Sequence, residues 1–525
     1  MTPPSPLRDA ARKLANPDLL IWLLLAVGIV LRVKEYACGR SLWLDEAMLA
    51  NNIADRSFLG LFHPLDNDQV APIGLLLTFK AAFLLFGQTD YALRTVPLLS
   101  GIAVLFLGRA ALRLLCPSPS WPAVFGMALF ALNRQLNFFS VEFKQYETDA
   151  VASLLLFLLL ALHGEGRLRF RWLVLAGALA LLFSHPALFS LAAIGGTLLL
   201  AAWREKSVPL FRRALAAGAV WIAVEGLNYF FLLRNAKKND FLQNFWASSF
   251  MPGLGAGLWA NLAWIGHTAC HLFDYTWIWQ IGMPHPVTLV GLVLIGLFML
   301  AGFPVLFRRD WRLGSFLVLL IVAALAGAGA RLYPLSVRML LFLIPFMCLL
   351  PALGLALAIR TFALRPAVVA ILVVVPLIAP TTRAAKHYTH PRLFQEVKVT
   401  ERLLQSRYRP GDLVLVDRSG EHAYRFYARQ LGFHPVPPAV YTDWDPDQVY
   451  PPIVPYLREH RPAGRIWLIA GVICGLGGPG EAATLDVNPA KLFPKKAADL
   501  IEIDSHDEAD ETDLYLFHMK NPDGR

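Results

Sequence analysis

What this chain can fold into is limited first by eleven long apolar runs. They fall near residues 19–33, 93–115, 122–139, 148–163, 170–184, 186–203, 212–233, 285–307, 313–330, 338–360 and 366–381. A helix needs roughly 17–25 apolar residues to cross a hydrocarbon core of about 30 Å, and tilt absorbs part of any mismatch. Several of the runs are short, but so many in 525 residues describe a polytopic helical membrane protein, mainly α. Composition agrees. The chain is 56% hydrophobic and 16% charged, against about 25% charged residues in soluble domains. The formal net charge of +10 reports topology and lipid contact, because no Lys/Arg run interleaves with aromatics as on a nucleic-acid surface. Five scattered cysteines (Cys38, Cys116, Cys270, Cys348, Cys474) offer neither a disulfide framework nor a CxxC metal spacing.

Arg8, Arg12 and Lys13 precede the first run, and no small-residue cleavage site follows it. The run therefore reads as a retained span with the N-terminus cytoplasmic. A further stretch, 71–86, is apolar but opens with Ala71-Pro72 and carries Lys80. Read as an interfacial or re-entrant helix, it leaves about 11 spans. The basic clusters Arg109/Arg113, Arg167/Arg169/Arg171, Arg204/Lys206/Arg212/Arg213, Arg308/Arg309/Arg312 and Arg360/Arg365 then all face the cytoplasm. Counted as a full span, it would put every one of them outside, against the loop bias that sets orientation.

Residues 34–92 become one long external loop, and 138–149, 184–186, 234–284 and 331–338 are the other outward segments. Beyond 382 the chain turns polar. Helical stretches at 393–407 and 421–431, a turn at Tyr408–Asp412 and strand-like Leu413–Val416, Ile466–Ala470 and Leu514–His518 predict a small C-terminal α/β domain, extracytoplasmic by the same parity. The expected organisation is a transmembrane domain at 1–381 and a soluble domain at 382–525.

The outward segments hold the chemistry. Asp45 and Glu46 lie in Ser41-Leu42-Trp43-Leu44-Asp45-Glu46, just beyond the first span, where adjacent carboxylates are costly unless paired or used. The second segment carries Glu142, Lys144, Tyr146, Glu147 and Asp149. His185 sits at a tight junction between two runs, and Arg331 and Arg338 flank Tyr333-Pro334. A carboxylate that can take a proton, with cations able to hold a phosphate, suits transfer from a phosphate-linked donor.

These motifs, in their order, resemble those of GT-C fold glycosyltransferases that use polyprenyl-phosphate sugars. That group includes protein O-mannosyltransferases, the aminoarabinose transferases that modify lipid A, and bacterial lipopolysaccharide-core galacturonosyltransferases. The resemblance rests on Trp43-Leu44-Asp45-Glu46, on Ala71-Pro72-Ile73-Gly74-Leu75 through Phe86-Gly87 to Arg94-Thr95-Val96-Pro97, and on Phe139-Ser140-Val141-Glu142-Phe143-Lys144-Gln145-Tyr146. Asn244-Phe245-Trp246 to Pro252 and Leu332-Tyr333-Pro334 to Arg338 add to it. It covers about 1–381.

The resemblance implies a GT-C core in a bacterial cytoplasmic membrane, a metal-independent inverting transfer and no cofactor. Asp45 would be the catalytic base, with Glu46 assisting. Arg338, Lys144, Tyr333 and Arg331 would bind donor phosphate or sugar; Glu142, Tyr146, Asp149 and His185 would contact substrate. The implied partners are a polyprenyl-phosphate sugar, a glycan, lipid or protein acceptor, and the bilayer, with no nucleic acid. Lys144 stands where the family often has Arg, and Ala71-Pro72 where a double Pro is common. Lysine cannot offer the paired donors of a guanidinium.

Plainer readings stand beside these. Asp45 and Glu46 suit the first turn of a helix, Asp149 an N-cap, and Arg338 a snorkelling contact with headgroups. His267 and His271 have the i,i+4 spacing of a helical metal pair but lack the Glu of a His-Glu-x-x-His motif, and the tryptophans around them (Trp259, Trp264, Trp277, Trp279) favour an interfacial helix. Two other functions fit the same architecture: a lipid-linked glycan transporter or flippase, and a non-catalytic scaffold in envelope assembly.

Overall fold

The computed structural model describes residues 16–116, 120–230, 239–278, 285–391, 393, 395–436, 438–442, 453–471, 493–494, 497–509 and 512–520. Arg8, Arg12, Lys13, Trp279 and Cys474 lie outside them. In chain order the helices are α1 (Pro17–Ala37), α2 (Leu44–Asp55), α3 (Ile73–Leu85), α4 (Asp90–Leu115), α5 (Trp121–Leu132), α6 (Arg134–Phe139), α7 (Tyr146–Gly164) and α8 (Phe170–Phe183). Next come α9 (Ala187–Arg204), α10 (Val208–Asn228), α11 (Asp240–Phe245), α12 (Leu258–Trp277), α13 (Pro286–Arg309), α14 (Trp311–Gly329), α15 (Ile344–Phe362) and α16 (Pro366–Thr389). The tail adds α17 (Val397–Arg407), β1 (Leu413–Asp417), α18 (Arg418–Leu431), β2 (Val440–Thr442), α19 (Ile453–His460), β3 (Ile466–Gly471), β4 (Ile501–Ala509) and β5 (Thr512–Met519). The fold is mainly α with a small C-terminal sheet, as the sequence predicts.

Among the described residues, seven helices are long and apolar enough to cross a membrane: α4, α7, α9, α13, α14, Leu341–Phe362 (which contains α15) and α16. Shorter apolar helices are α3, α5 and α8. Two details refine the run-by-run reading. The run 122–139 is not one helix. It breaks at Asn133, whose side chain accepts from Leu136 N at 3.0 Å and so starts α6 as a new helix. The ambiguous stretch 71–86 forms the 13-residue α3, which at 1.5 Å per residue is roughly 20 Å long. That falls short of a hydrocarbon core of about 30 Å.

The chain divides into two compact units. One comprises the chain up to Ala37, Val70–Thr78 and Arg94–Pro391; the other comprises Cys38–Gln69, Phe79–Leu93 and the chain from Arg392 onward. In the first unit α1 packs on α5, α9 on α14 and α10, and α13 on α15 and α16. The α13–α15 contact is a backbone-to-backbone approach. A Cβ at Gly302 would collide with the Leu350 carbonyl, and one at Gly354 with the Phe298 backbone. Small residues permit such closeness where lipid supplies no hydrophobic drive for helix association.

In the second unit the sheet order is β2-β1-β3-β5-β4, with β1 parallel to both β2 and β3, and β5 antiparallel to β3 and β4. Val414–Val416 and Ile466–Ile469 are buried throughout, the continuous apolar signature of central parallel strands. Trp467 Nε1 donates to Asp412 Oδ2 at 2.8 Å, so the indole is buried without an orphaned donor. Asp417 closes β1 and caps α18 through Gly420 N at 2.9 Å.

Glu401, on α17, is fully buried, and neither carboxyl oxygen has a hydrogen-bond partner among the described residues. Burial pushes its pKa from the ordinary 4.5 up to about 9, so the folded protein holds it as the neutral acid at pH 7. A raised folded-state pKa gives stability that is present below the unfolded value and is lost as pH rises through the folded one. Glu401→Gln, isosteric with the neutral acid, is expected to match wild type near pH 5. Its advantage in melting temperature should grow steadily toward pH 9. A difference that is flat across this range would show that Glu401 is ionised when folded.

Candidate active site

Asp45 is the second residue of α2 and is half-buried. The helix starts there because Trp43 is extended (φ −79°, ψ 171°) and two acidic residues follow in the first turn, where they meet the positive end of the helix dipole. Glu46 is fully buried, and its Oε2 accepts from Trp43 N at 3.3 Å, the return contact of a capping arrangement. At the other end of α2, Lys80 Nζ donates to the carbonyls of Ile53 (2.7 Å) and Ala54 (3.3 Å). Lys80, the charge within the 71–86 run, is thus a C-terminal anchor for the helix that carries Asp45. Asn52 adds a side brace, accepting from Asp66 N at 2.8 Å and donating to Asp66 O at 3.1 Å.

The other sequence-predicted residues lie in the first unit. Asn133 and α6 lead into a tight turn, in which Glu142 N bonds Phe139 O at 3.3 Å and Lys144 N bonds Glu142 O at 2.7 Å. Glu142, Lys144, Tyr146 and Asp149 are all buried. Tyr146 meets Phe139 edge-on, ring centroids 5.1 Å apart. Asp149, in the first turn of α7, lies against the Ser184 side chain, and its Oδ1 has no partner among the described residues. His185 follows Ser184. Its ring is partly accessible, but both nitrogens are shielded and unpartnered among the described residues, and burial lowers its pKa from 6.5 to about 4. The imidazole is neutral at physiological pH.

Tyr333 joins this group. Its phenol is pushed up in pKa by burial first, and then by Asp149 and Tyr146, which puts the three side chains within electrostatic reach of one another. The Tyr333 hydroxyl donates to Met339 O at 3.1 Å, and its ring meets Phe189 edge-on at 5.3 Å. The segment carrying it is pinned by Leu335 N to Ser249 O at 2.8 Å. The Arg338 guanidinium lies over the Trp246 ring at 5.0 Å, and that of Arg331 over Phe250 at 5.4 Å. Asn244–Pro252 and Leu332–Arg338, two stretches paired only by motif in the sequence, are therefore one structural cluster. An aromatic face holds a guanidinium in a fixed direction, and its planar fork is a group that pairs with phosphate.

The structure also brings forward groups that sequence reasoning left out. Arg32 of α1 is fully buried, donates to Gly28 O at 3.0 Å and to Asn137 Oδ1 at 2.8 Å, and interacts electrostatically with the buried Glu147. An arginine within an apolar run was the available signal, since ionisable groups at membrane depth are functional candidates by default. Ser184 had no such signal. His267 and His271 face each other on α12 with ring centroids 5.9 Å apart. No group of three or more His, Cys, Asp or Glu side chains among the described residues is arranged to hold a metal.

No protein-family model matches the sequence, and no curated protein matches it significantly. Solved structures do. The crystal structure of ArnT from Cupriavidus metallidurans in the apo state aligns with a TM-score of 0.53 at 12% identity, covering 94% of this chain and 97% of that one. The same protein bound to undecaprenyl phosphate aligns with a TM-score of 0.53 at 13% identity, covering 95% and 97%. Identities this low speak for the fold alone, but they do so over nearly the whole length of both chains. The chain has the fold of these ArnT structures.

Proposed function

We propose that the protein is a membrane glycosyltransferase that moves a sugar from a polyprenyl-phosphate-linked donor to an acceptor on the extracytoplasmic face of a bacterial cytoplasmic membrane. What carries the reading is Asp45, a half-buried carboxylate at the start of a helix anchored at both ends, in a chain whose fold matches an ArnT structure holding undecaprenyl phosphate.

In the proposed reaction the acceptor hydroxyl or amine attacks the anomeric carbon. The new bond forms as the bond to the lipid phosphate breaks, with inversion at that carbon. Asp45 takes the acceptor's proton, and the phosphate leaves with the electron pair of the broken bond. No metal is required if cations meet the developing charge, where electrostatic stabilisation is worth most. Arg338 and Arg331, held over aromatic rings, and Lys144 on the second segment are the candidates, with Tyr333 beside the arginines.

Glu46 is committed to the Trp43 amide, so its share in catalysis is to hold the turn. Glu142, Tyr146, Asp149 and neutral His185 supply hydrogen-bonding groups for sugar or acceptor. In this orientation the N-terminus is cytoplasmic and the C-terminal domain periplasmic.

Two experiments test the proposal in lipid nanodiscs with a panel of undecaprenyl-phosphate sugars and an envelope extract as acceptor source. Asp45→Asn keeps size and hydrogen bonding but cannot serve as a base, and should lower turnover by roughly a hundredfold or more. Equal turnover by wild type and Asp45→Asn would remove Asp45 from catalysis. Arg338→Ala should raise the donor KM by about tenfold or more, because a charge-assisted phosphate contact is lost. Transbilayer movement of the donor by wild type without transfer would favour the flippase reading. Neither transfer nor movement would favour the scaffold.

A further inference from the structure

The four backbone N–H groups that lead into α2 are all satisfied by side chains, three of them from the far end of the chain. Ser41 N donates to Glu396 Oε1 at 2.9 Å, Leu42 N to the Tyr427 hydroxyl at 2.7 Å, and Leu44 N to Gln395 Oε1 at 2.9 Å. Trp43 N takes the local partner, Glu46. Further contacts lock the same turn. Ser41 Oγ donates to Glu396 Oε2 at 3.0 Å and accepts from Lys398 N at 3.1 Å. Lys398 Nζ bonds Gly39 O and Asp90 Oδ2, and the Tyr427 hydroxyl donates to that same Asp90 oxygen at 3.1 Å. Ser41, Asp90, Gln395, Glu396, Lys398 and Tyr427 are all buried.

A helix start is ordinarily capped by a Ser, Thr, Asp or Asn at the N-cap. Trp43 occupies that position and has no acceptor to offer. The capping duty has passed to residues 351 to 385 positions away, two of which sit on a bent approach to α17. Gln395 adopts φ +40°, a left-handed conformation uncommon for a side-chain-bearing residue, and such local strain persists only where the surroundings over-determine it. The helix itself is braced from the same quarter: α18 packs on α2, with Phe426 against Phe83, Asn51 Nδ2 bonded to His422 O at 2.9 Å and Arg429 paired with Asp55 at 2.8 Å.

We infer that Gln395, Glu396 and Tyr427 are positioning residues for the catalytic carboxylate: the C-terminal domain sets where Asp45 stands by holding the amides of the three residues around it. This rests on the proposed role of Asp45. It gives the C-terminal domain a task in the chemical step, through main-chain geometry and without contact with substrate.

The test uses the full-length protein in nanodiscs and the isosteric Tyr427→Phe, with Glu396→Ala and Glu396→Gln beside it. A displacement of about 1 Å at a reacting group can cost on the order of a hundredfold in rate. Tyr427→Phe and Glu396→Ala should therefore lower kcat by roughly tenfold to a hundredfold, with the donor KM within about twofold of wild type. Glu396→Gln, which keeps an acceptor for Ser41 N, should recover most of the loss. In an Asp45→Asn background Tyr427→Phe should cost nothing further, because residues acting as one unit do not add.

Hydrogen exchange supplies a readout independent of activity: peptides covering 39–46 should exchange faster in Tyr427→Phe and Glu396→Ala while β1 and β3 remain protected. If wild type turns over no donor, the functional reading fails and exchange alone decides the clamp. Unchanged exchange in 39–46, or a kcat loss of the same size in the Asp45→Asn background, would overturn the inference. Loss of protection throughout β1 and β3 in Glu396→Ala would disqualify that variant, and Tyr427→Phe would then decide.

Discussion

A bilayer offers no hydrogen-bond partner to a backbone amide or carbonyl, so at membrane depth the chain must satisfy its own polar groups. Helices do this within one segment, which is why the apolar runs of this protein become helices and why the breaks between them carry meaning. The break at Asn133 is capped by its own side chain. The turn at 142–144 closes on itself through short backbone bonds. The segment carrying Tyr333 is tied to a neighbouring one through Leu335 N and Ser249 O.

Fixed polar groups in an apolar setting are what the proposed chemistry requires. In a low-dielectric surrounding a charge interacts strongly with its neighbours and is costly to leave alone. Glu147 stands opposite Arg32, Tyr333 shares its field with Asp149 and Tyr146, and His185 stays neutral. Arg331 and Arg338 lie over the rings of Phe250 and Trp246. Such groups contribute little to stability and are poor fold-builders. Their gathering at the first turn of α7 and around it is better explained by use than by packing.

The membrane fold class was legible because hydrophobicity acts locally: a run long enough to span is long enough in any context. Four tail elements were legible in the same way, since Leu413–Val416, 421–431, Ile466–Ala470 and Leu514–His518 fall inside β1, α18, β3 and β5. β2, β4 and α19 were not legible. β2 is three residues long, and β4, Ile501–Ala509, is mostly exposed with four acidic residues, so its pairing with β5 is decided by the edge of the sheet and not by an apolar pattern. The 122–139 run was read through Asn133 because a single polar residue does not lower the hydropathy of a window, although it can cap a new helix.

For the site, the sequence by itself determined which residue types are present and on which connecting segments they lie: a carboxylate pair after the first apolar run, a polar turn before α7, two arginines around Tyr333. These follow from local pattern. Only the tertiary structure decided that Trp246 and Phe250 seat the two arginines, that Lys80 closes the helix carrying Asp45, and that the start of that helix is capped from residues 395, 396 and 427. The physical reason is separation along the chain. A hydrogen bond between Ser41 and Glu396 joins groups 355 residues apart, and nothing in the composition or periodicity around either one states which amide it will find. Local hydrophobicity fixes what each segment becomes, while the partner of a buried polar group is fixed by which segments the folded chain brings within about 3 Å of it.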